Sequence, residues 1–203
     1  MAIYSFPFKQ HKASELFVWQ VSESYTELVL LAKAKAIPFK PEQFKLEKNA
    51  INYLVKHLLM QHCFGANYQL NSSLNGKPLP FIGKHITFSH SKDFLLLAVA
   101  DTNIGADIQA FDEKLVVVRS KYLSDLEYNR YEELSQSLAY LQVLWSAKEA
   151  VFKLYGENLP FKDIESSVFT PNAFGELVFT VNGIHKHTVS YVFYGIYCCC
   201  IAV

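Results

Sequence analysis

The chain has 203 residues, of which 51% are hydrophobic, so it can form a sizeable core in one large domain or two small ones. This composition excludes an extensively disordered chain. Lysine plus arginine equals aspartate plus glutamate at 19 each, so the net charge gives no reason to expect nucleic acid or an anionic membrane as a partner.

No basic region followed by a long apolar run opens the chain, so we expect no signal peptide. The longest apolar stretch, residues 191–203, is shorter than the roughly 20 residues that a membrane-spanning helix needs. Cys63 and the run 198–200 lack the C-x-x-C spacing of zinc sites, and they are interpreted as buried thiols. We therefore expect a cytoplasmic protein.

Hydrophobic periodicity predicts the elements of the first half in chain order: a strand at 15–21, helices at 22–36 and 41–63, a loop at 71–80, and strands at 85–90 and 94–100. Pro41 suits the first turn of the second helix, and Gly65 marks its end.

The second half begins again with a strand and continues with helices: 104–109, then 119–134 and 137–155 with Gly156 as the stop, then strands at 164–169, 176–182, 186–193 and 195–202. The repeated order predicts an α+β fold of two similar halves, a pseudo-dimer in which helices pack on mostly antiparallel sheets. The expected division is 1–102 and 103–203.

Strand 104–109 carries the first candidate group for chemistry. Side chains alternate along a strand, so Ile104, Ala106 and Ile108 face one side and Asp107 faces the other. Asp107 fits a structural role at a strand end as well as a functional one.

The helix at 137–155 carries the second candidate group. Glu149 and Lys153 are four residues apart and share a face. Alone, such a pair is common on exposed helices. Trp145 lies beside it, and a bulky aromatic residue next to charged groups is typical of a cleft wall.

Weaker signals come from two polar segments and from the basic second helix. Hydroxyls and an imidazole at a strand end, as in Ser89 and His90, can bind a phosphate. Asn75-Gly76-Lys77-Pro78 indicates a turn. Lys45 and Lys48 are three apart and share a face of the predicted helix, for which a solvated face is the default interpretation.

In order, the segments Asn75-Gly76-Lys77-Pro78, Phe88-Ser89-His90-Ser91, Gly105-Ala106-Asp107-Ile108 and Trp145-Ser-Ala-Lys148-Glu149-Ala-Val-Phe-Lys153 resemble the signature of the 4′-phosphopantetheinyl transferases. The chain is similar to the long, monomeric type that activates surfactin synthetase. The resemblance covers residues 40–155 directly.

The resemblance implies a role for each matching residue. Asp107 and Glu149 would bind Mg²⁺, with Gln109 reaching it through a water. Lys153 would contact the pyrophosphate of coenzyme A, with Lys148 nearby. The remaining coenzyme A contacts would be Ser89 and His90 at a phosphate, Gly76, Lys77 and Pro78 at the adenine, and Lys48 and Lys56 near the 3′-phosphate.

The implied reaction moves the phosphopantetheine arm of coenzyme A to a serine of an acyl- or peptidyl-carrier protein and releases adenosine 3′,5′-bisphosphate. Glu149 and Lys153 would be catalytic. Glu149 would accept the serine proton, directly or through a water, and a water on the metal is the other candidate base. Gln109 stands where some members carry a third acid, so a non-catalytic coenzyme A-binding module is the alternative.

The resemblance also implies that the carrier protein docks on residues 121–128. Tyr122, Leu123 and Tyr128 are candidate apolar contacts, and packing into the core is the alternative. Carrier proteins are usually acidic, so basic side chains near this segment would steer them in: Lys114, Arg119 and Lys121. No nucleic acid or membrane partner is expected, and the chain would be a monomer.

Overall fold

The computed structural model describes residues 2–5, 14–74, 76–156 and 159–203. Within these residues, five α-helices and two antiparallel sheets form four layers, with helices outside and the sheets inside. The predicted α+β class is therefore confirmed.

The first sheet contains four antiparallel strands in the order β1-β2-β4-β3: β1 (Ala2–Ser5), β2 (Ser14–Gln20), β3 (His85–Ser91) and β4 (Phe94–Ala100). Both faces of β4 are buried, because its alternate residues pack in different cores. Leu95, Leu97 and Val99 face the outer helices, whereas Leu96 and Ala98 face the second sheet.

Two helices cover the outer face of this sheet: α1 (Tyr25–Ala34) and α2 (Glu47–Phe64). The backbone N–H of Gly65, which has a positive φ of 79°, donates to the carbonyl of Gln61, and the helix ends there as predicted.

The prediction that Pro41 opens α2 is wrong, because Pro41–Gln43 forms a separate 3₁₀ turn. Phe44 packs on Tyr53 of α2, with ring centroids 5.2 Å apart, and the chain at Phe44 is extended. Lys45 consequently precedes the helix and does not share a helical face with Lys48.

The second sheet contains five antiparallel strands in the order β5-β9-β8-β7-β6: β5 (Gly105–Ala110), β6 (Ile164–Ser166), β7 (Phe174–Val181), β8 (His185–Tyr194) and β9 (Tyr197–Ala202). Three helices pack on its outer face: α3 (Lys114–Val118), α4 (Asp125–Glu133) and α5 (Leu138–Tyr155).

The predicted single helix over 119–134 is wrong. A 3₁₀ turn at Arg119–Lys121 follows α3, and α4 begins afresh after Ser124. Ser124 and Glu127 form a capping box, in which the Ser124 hydroxyl accepts from the Glu127 N–H and the Glu127 carboxylate accepts from the Ser124 N–H. The end of α5 is as predicted, since Gly156 adopts a left-handed conformation and its N–H donates to the Phe152 carbonyl.

The two sheets share the central core. Ile104, Ala106 and Ile108 face the first sheet, as their alternation predicted. At the edge of each sheet, β3 runs beside β5, and the Ala110 N–H donates to the Ser91 hydroxyl at 2.9 Å. This edge places residues of both sheets in one cleft. The division of the chain at residue 102 stays a prediction.

None of the helices formed by the described residues has both the length and the apolar character that crossing a membrane requires. The four cysteines are free thiols. Cys198, Cys199 and Cys200 are fully buried on β9, as the sequence indicated.

Candidate active site

Asp107 lies at the centre of the cleft and has one engaged and one unengaged oxygen. Its Oδ1 atom accepts from the Ser89 hydroxyl of β3 at 2.6 Å and from the Lys153 ammonium of α5 at 2.7 Å. Its Oδ2 atom is buried and has no hydrogen-bond partner among the described residues. A buried carboxylate oxygen without a partner is costly unless a ligand completes its coordination.

Gly105, two residues before Asp107, determines how closely α5 approaches β5. A Cβ atom added at Gly105 would lie 1.8 Å from the Ala150 carbonyl oxygen and 2.6 Å from the Leu154 nitrogen. The helix backbone therefore rests directly on the strand backbone. This contact brings the next helical residue before Ala150, Glu149, to the side of Asp107.

Glu149 and Lys153 complete a group of two carboxylates and one ammonium. The Lys153 Nζ atom lies 4.0 Å from Glu149 Oε2. Burial raises the pKa of Glu149 and the charge of Asp107 raises it further, whereas the Lys153 ammonium lowers it. The two carboxylates repel each other, and the single lysine only partly offsets that repulsion.

These residues fit a hard divalent cation such as Mg²⁺. Such ions prefer carboxylate oxygens and keep several waters, so one or two protein carboxylates suffice. Asp107 Oδ2 offers a free oxygen, and Glu149 offers a second carboxylate beside it. Within the described residues, no group of three or more histidine, cysteine, aspartate or glutamate side chains is suited to a metal. Gln109 brings no charge, and its Nε2 atom donates to the Ala110 carbonyl.

A cavity of about 200 Å³ opens between β3 and the C-terminal end of α5, and its lining includes both aromatic and basic side chains. The Lys56 ammonium lies 5.3 Å from the centroid of the Phe88 ring. Burial lowers the pKa of Lys56, and the charge of Lys153 adds to this effect. The cavity is lined by Lys56, Gly76, Lys77, Pro78, Thr87, Phe88, Phe152, Lys153 and Gly156. Aromatic walls next to repelling ammonium groups suit a ligand that carries a ring and phosphates.

A second cavity, of about 430 Å³, contains His90 and Lys48. His90 is exposed at the end of β3, whereas Ser89 is buried against β5. Although its side chain reaches solvent, the surrounding protein removes part of the water around the imidazole and so lowers the pKa of His90, and the charges of Lys56, Lys48 and Lys153 lower it further. Three ammonium groups around one imidazole create a positive potential, which favours an anion there.

Lys77 lines the first cavity, but its ammonium bonds to protein atoms. Its Nζ atom donates to the Leu154 carbonyl at 2.6 Å and to Asn103 Oδ1 at 3.0 Å. Gly76 and Pro78 line the same wall. Asn75, the first residue of this motif, lies outside the described residues.

The structure does not bring Lys148 to the cleft. Its ammonium is fully buried and donates to Glu127 Oε2 at 2.6 Å, to the Tyr122 carbonyl at 2.7 Å and to the Phe161 carbonyl at 2.9 Å. All three of its protons therefore have acceptors inside the second half. Lys148 lies one residue, or about 100° of helical turn, from Glu149, so the two side chains leave α5 in different directions.

Two of the three candidate docking residues are part of the core. Tyr122 and Leu123 are only 1% and 3% exposed, which supports the packing alternative. Tyr128 is exposed, and the Arg119 guanidinium lies 5.8 Å from its ring centroid.

The sequence motifs did not indicate several residues that lie in or beside the site. Phe88 and Phe152 line the cavity, and no role followed for them from the motifs that contain them. Asn103 donates from Nδ2 to the Leu154 carbonyl at 2.7 Å, and it belongs to none of the sequence motifs. Glu127 did have a signal, since Ser124-x-x-Glu127 is a capping-box pattern.

Two comparisons with known proteins relate this chain to one enzyme family. Residues 103–201 match a family model described as the 4′-phosphopantetheinyl transferase superfamily. The chain is also 30% identical over 133 residues to the 4′-phosphopantetheinyl transferase psf-1 of Bacillus pumilus, a match that covers 59% of this chain and 56% of that protein. The chain thus spans little more than half the length of this relative.

Proposed function

We propose that this chain, whose residues 103–201 belong to the 4′-phosphopantetheinyl transferase superfamily, transfers the phosphopantetheine arm of coenzyme A to a serine of an acyl- or peptidyl-carrier protein. The observation that carries the proposal is the placement of Asp107 on β5 beside Glu149 and Lys153 on α5, next to an aromatic, basic cavity. We further propose that the enzyme is monomeric, depends on Mg²⁺ and works in the cytoplasm, where free thiols are the usual state of cysteine.

The residues of the cleft divide the binding of coenzyme A between them. Lys153 would hold the pyrophosphate through its ammonium, which already lies 2.7 Å from Asp107. Ser89 and His90 would contact a phosphate, and Lys48 and Lys56 would supply positive charge for the 3′-phosphate. Gly76, Lys77 and Pro78 would form the wall beside the adenine.

Asp107 and Glu149 would hold Mg²⁺, and Gln109 would reach it through a water. When bound, the ion would neutralise charge on the pyrophosphate oxygens. Phosphoryl transfer depends mainly on positioning and on charge stabilisation. In this chain, Lys153 supplies the fixed cation and the Gly105–Ala150 contact supplies the positioning.

In the transfer step the serine oxygen of the carrier attacks the phosphorus that bears the pantetheine arm. The new phosphoester bond forms as the bond to the bridging pyrophosphate oxygen breaks, and adenosine 3′,5′-bisphosphate leaves with that oxygen. Glu149 would accept the serine proton, directly or through a water.

The direct test is to incubate the chain with coenzyme A, Mg²⁺ and a panel of apo carrier proteins from fatty-acid, polyketide and peptide synthesis, and to weigh each carrier by mass spectrometry. We expect at least one carrier to gain one phosphopantetheine group. Glu149→Gln and Asp107→Asn should abolish the gain, whereas Glu176→Gln on the exposed edge of β7 should not.

A lack of mass gain with every carrier would contradict the proposal. If calorimetry then still showed Mg²⁺-dependent binding of coenzyme A, the non-catalytic binding module would be the correct function. Retained transfer by Glu149→Gln would remove the assignment of that residue alone.

A further inference from the structure

The Leu154 carbonyl, at the C-terminal end of α5, receives two hydrogen bonds from outside its helix. The Lys77 ammonium donates at 2.6 Å and the Asn103 amide donates at 2.7 Å. The last four carbonyls of a helix have no partner within it, and this end also carries the negative pole of the helix dipole. A cation and an amide are therefore well suited to cap it.

The stem of Lys77 is also held in place. A Cβ atom added at Gly156 would lie 2.4 Å from Lys77 Cδ, so the methylenes of Lys77 rest on the glycine that ends α5. Asn103 Oδ1 accepts from Lys77 Nζ at 3.0 Å, which closes a triangle of Lys77, Asn103 and Leu154. Three segments that are distant in sequence meet at this triangle: the loop at 71–80, the connection between the sheets, and the end of α5.

The triangle lies where the two walls of the smaller cavity join. Gly76 and Pro78 stand on one wall, and Phe152 and Lys153 stand on the other. Because Lys77 belongs to the first wall and bonds to the helix that forms the second, its bond to Leu154 sets the separation between them.

We propose that Lys77 is a positioning residue. Its ammonium caps α5 and fixes the width of the smaller cavity, and it does not bind a phosphate. The proposal rests on the proposed function, because it names coenzyme A as the ligand of the cavity. The affinity for every part of the ligand that the cavity encloses should therefore depend on Lys77, and this includes the uncharged parts.

The test compares Lys77→Met, which keeps the stem and removes the ammonium, with Lys84→Met. Lys84 pairs with Asp101 on the exposed surface and does not line this cavity, so it is a matched control for the same substitution. Affinities are measured by calorimetry for adenosine 3′,5′-bisphosphate and, by ligand-observed NMR, for adenosine. We expect Lys77→Met to weaken both probes by about tenfold, the typical effect of one charge-assisted hydrogen bond. The KM for coenzyme A should rise while kcat stays within about twofold.

A second variant separates positioning from direct contact. Asn103 does not line the cavity, so Asn103→Ala can weaken the probes only through Lys77 and Leu154. We expect the double variant Lys77→Met/Asn103→Ala to bind the probes about as tightly as the weaker-binding single variant, because both substitutions disrupt the same triangle. Additive losses would overturn the proposal.

If Lys77→Met weakens the bisphosphate and spares adenosine, Lys77 is a phosphate ligand and the proposal is wrong. Unchanged affinity for both probes would also overturn it. Hydrogen exchange without ligand provides a readout that does not depend on the proposed function. Lys77→Met should speed exchange at the Gly156 amide and at the loop amides of Ser73 and Leu79, whereas Lys84→Met should not. Equal exchange rates in Lys77→Met and Lys84→Met would overturn the proposal, whether or not the wild-type chain binds coenzyme A. A failure of the wild-type chain to bind coenzyme A would count against the proposed function alone.

Discussion

The backbone of Gly105 touches the backbone of Ala150, so closely that an added Cβ atom would come within 1.8 Å of the Ala150 carbonyl oxygen. Asp107 follows Gly105 on β5, and Glu149 precedes Ala150 on α5. The spacing of the two carboxylates is therefore set by a backbone contact and not by the rotamers of long side chains. A site built in this way is rigid before any ligand arrives.

Gly105→Ala should destabilise the fold and abolish transfer, because the methyl group can be accommodated only if α5 moves away from β5. Overpacking of this kind costs about 1–3 kcal/mol, and contact with backbone atoms places the cost at the upper end. Urea unfolding and the carrier assay measure the two effects. Gly183→Ala at the β7–β8 turn is the matched control, since nothing lies within 4 Å of its added Cβ atom and only its positive φ of 69° is strained. The control should lose about 1–2 kcal/mol, the cost of a side chain in the left-handed region, and keep its activity. Full activity of Gly105→Ala would contradict this account of the site.

Ser89→Ala should lower transfer more than it lowers stability. The Ser89 hydroxyl donates to Asp107 Oδ1, and its loss would leave Lys153 as the only donor to that carboxylate among the described residues. We expect about tenfold less transfer and a higher Mg²⁺ concentration at half-maximal rate, because groups that orient a metal ligand typically affect metal affinity by about 10–100-fold.

Ser91→Ala, two residues further along the same face of β3, provides the comparison. Ser91 accepts from the Ala110 N–H and holds the two sheet edges together, but it does not touch Asp107. Its loss should reduce the free energy of unfolding by about 1–2 kcal/mol and leave the Mg²⁺ dependence unchanged. Equal Mg²⁺ dependence in both variants would show that Ser89 has no special role at Asp107.

The sequence predicted those parts of the site that depend on local periodicity. Alternation along β5 separated Asp107 from Ile108, and the spacing of four placed Glu149 and Lys153 on one face. Helix ends with an obligatory glycine were also predictable, as Gly156 shows.

The direction of a helical face depends instead on what packs around the helix. Helix α5 is buried on most of its circumference, since the second sheet lies on one side and α3 with the Phe161 segment lies on others. Lys148 therefore enters a core in which its counterion, Glu127, is 21 residues away in sequence. No periodicity within the helix indicates such a tertiary partner.

Lys148→Met should destabilise the fold strongly, because it leaves the Glu127 carboxylate buried without its cation. The two side chains are 0% and 1% exposed, and breaking such a pair typically costs about 3–5 kcal/mol. Glu127→Gln in the same chain should restore part of the loss, since a neutral amide needs no cation and can still accept from the Ser166 N–H. Urea unfolding of both single variants and the double variant measures the coupling. A loss of coenzyme A affinity by Lys148→Met without any loss of stability would instead favour the role that the family resemblance implied.

His57 of α2 should make the stability of the fold depend on pH. Burial lowers the pKa of His57 to about 4, and the charge of Lys56 contributes, while the Tyr68 hydroxyl lies 2.6 Å from its Nδ1 atom. An unfolded histidine titrates near 6.5, so between pH 6.5 and 4 only the unfolded chain binds this proton. The free energy of unfolding should therefore fall as the pH drops through that window, and the stabilisation is fully present above it.

His57→Gln removes this titration. The difference in unfolding free energy between wild type and variant should therefore change by about 1–2 kcal/mol between pH 7.5 and pH 4.5. This figure is smaller than the full linkage because His57 is partly exposed. Chemical denaturation at both pH values gives the two differences, and subtracting the variant cancels the titration of every other group. Parallel curves for the two proteins would mean that His57 is protonated equally in the folded and unfolded chains. In that case the imidazolium would have to donate the hydrogen bond to the Tyr68 hydroxyl, and a charged ring would lie against Tyr53, whose ring centroid is 4.1 Å from that of His57.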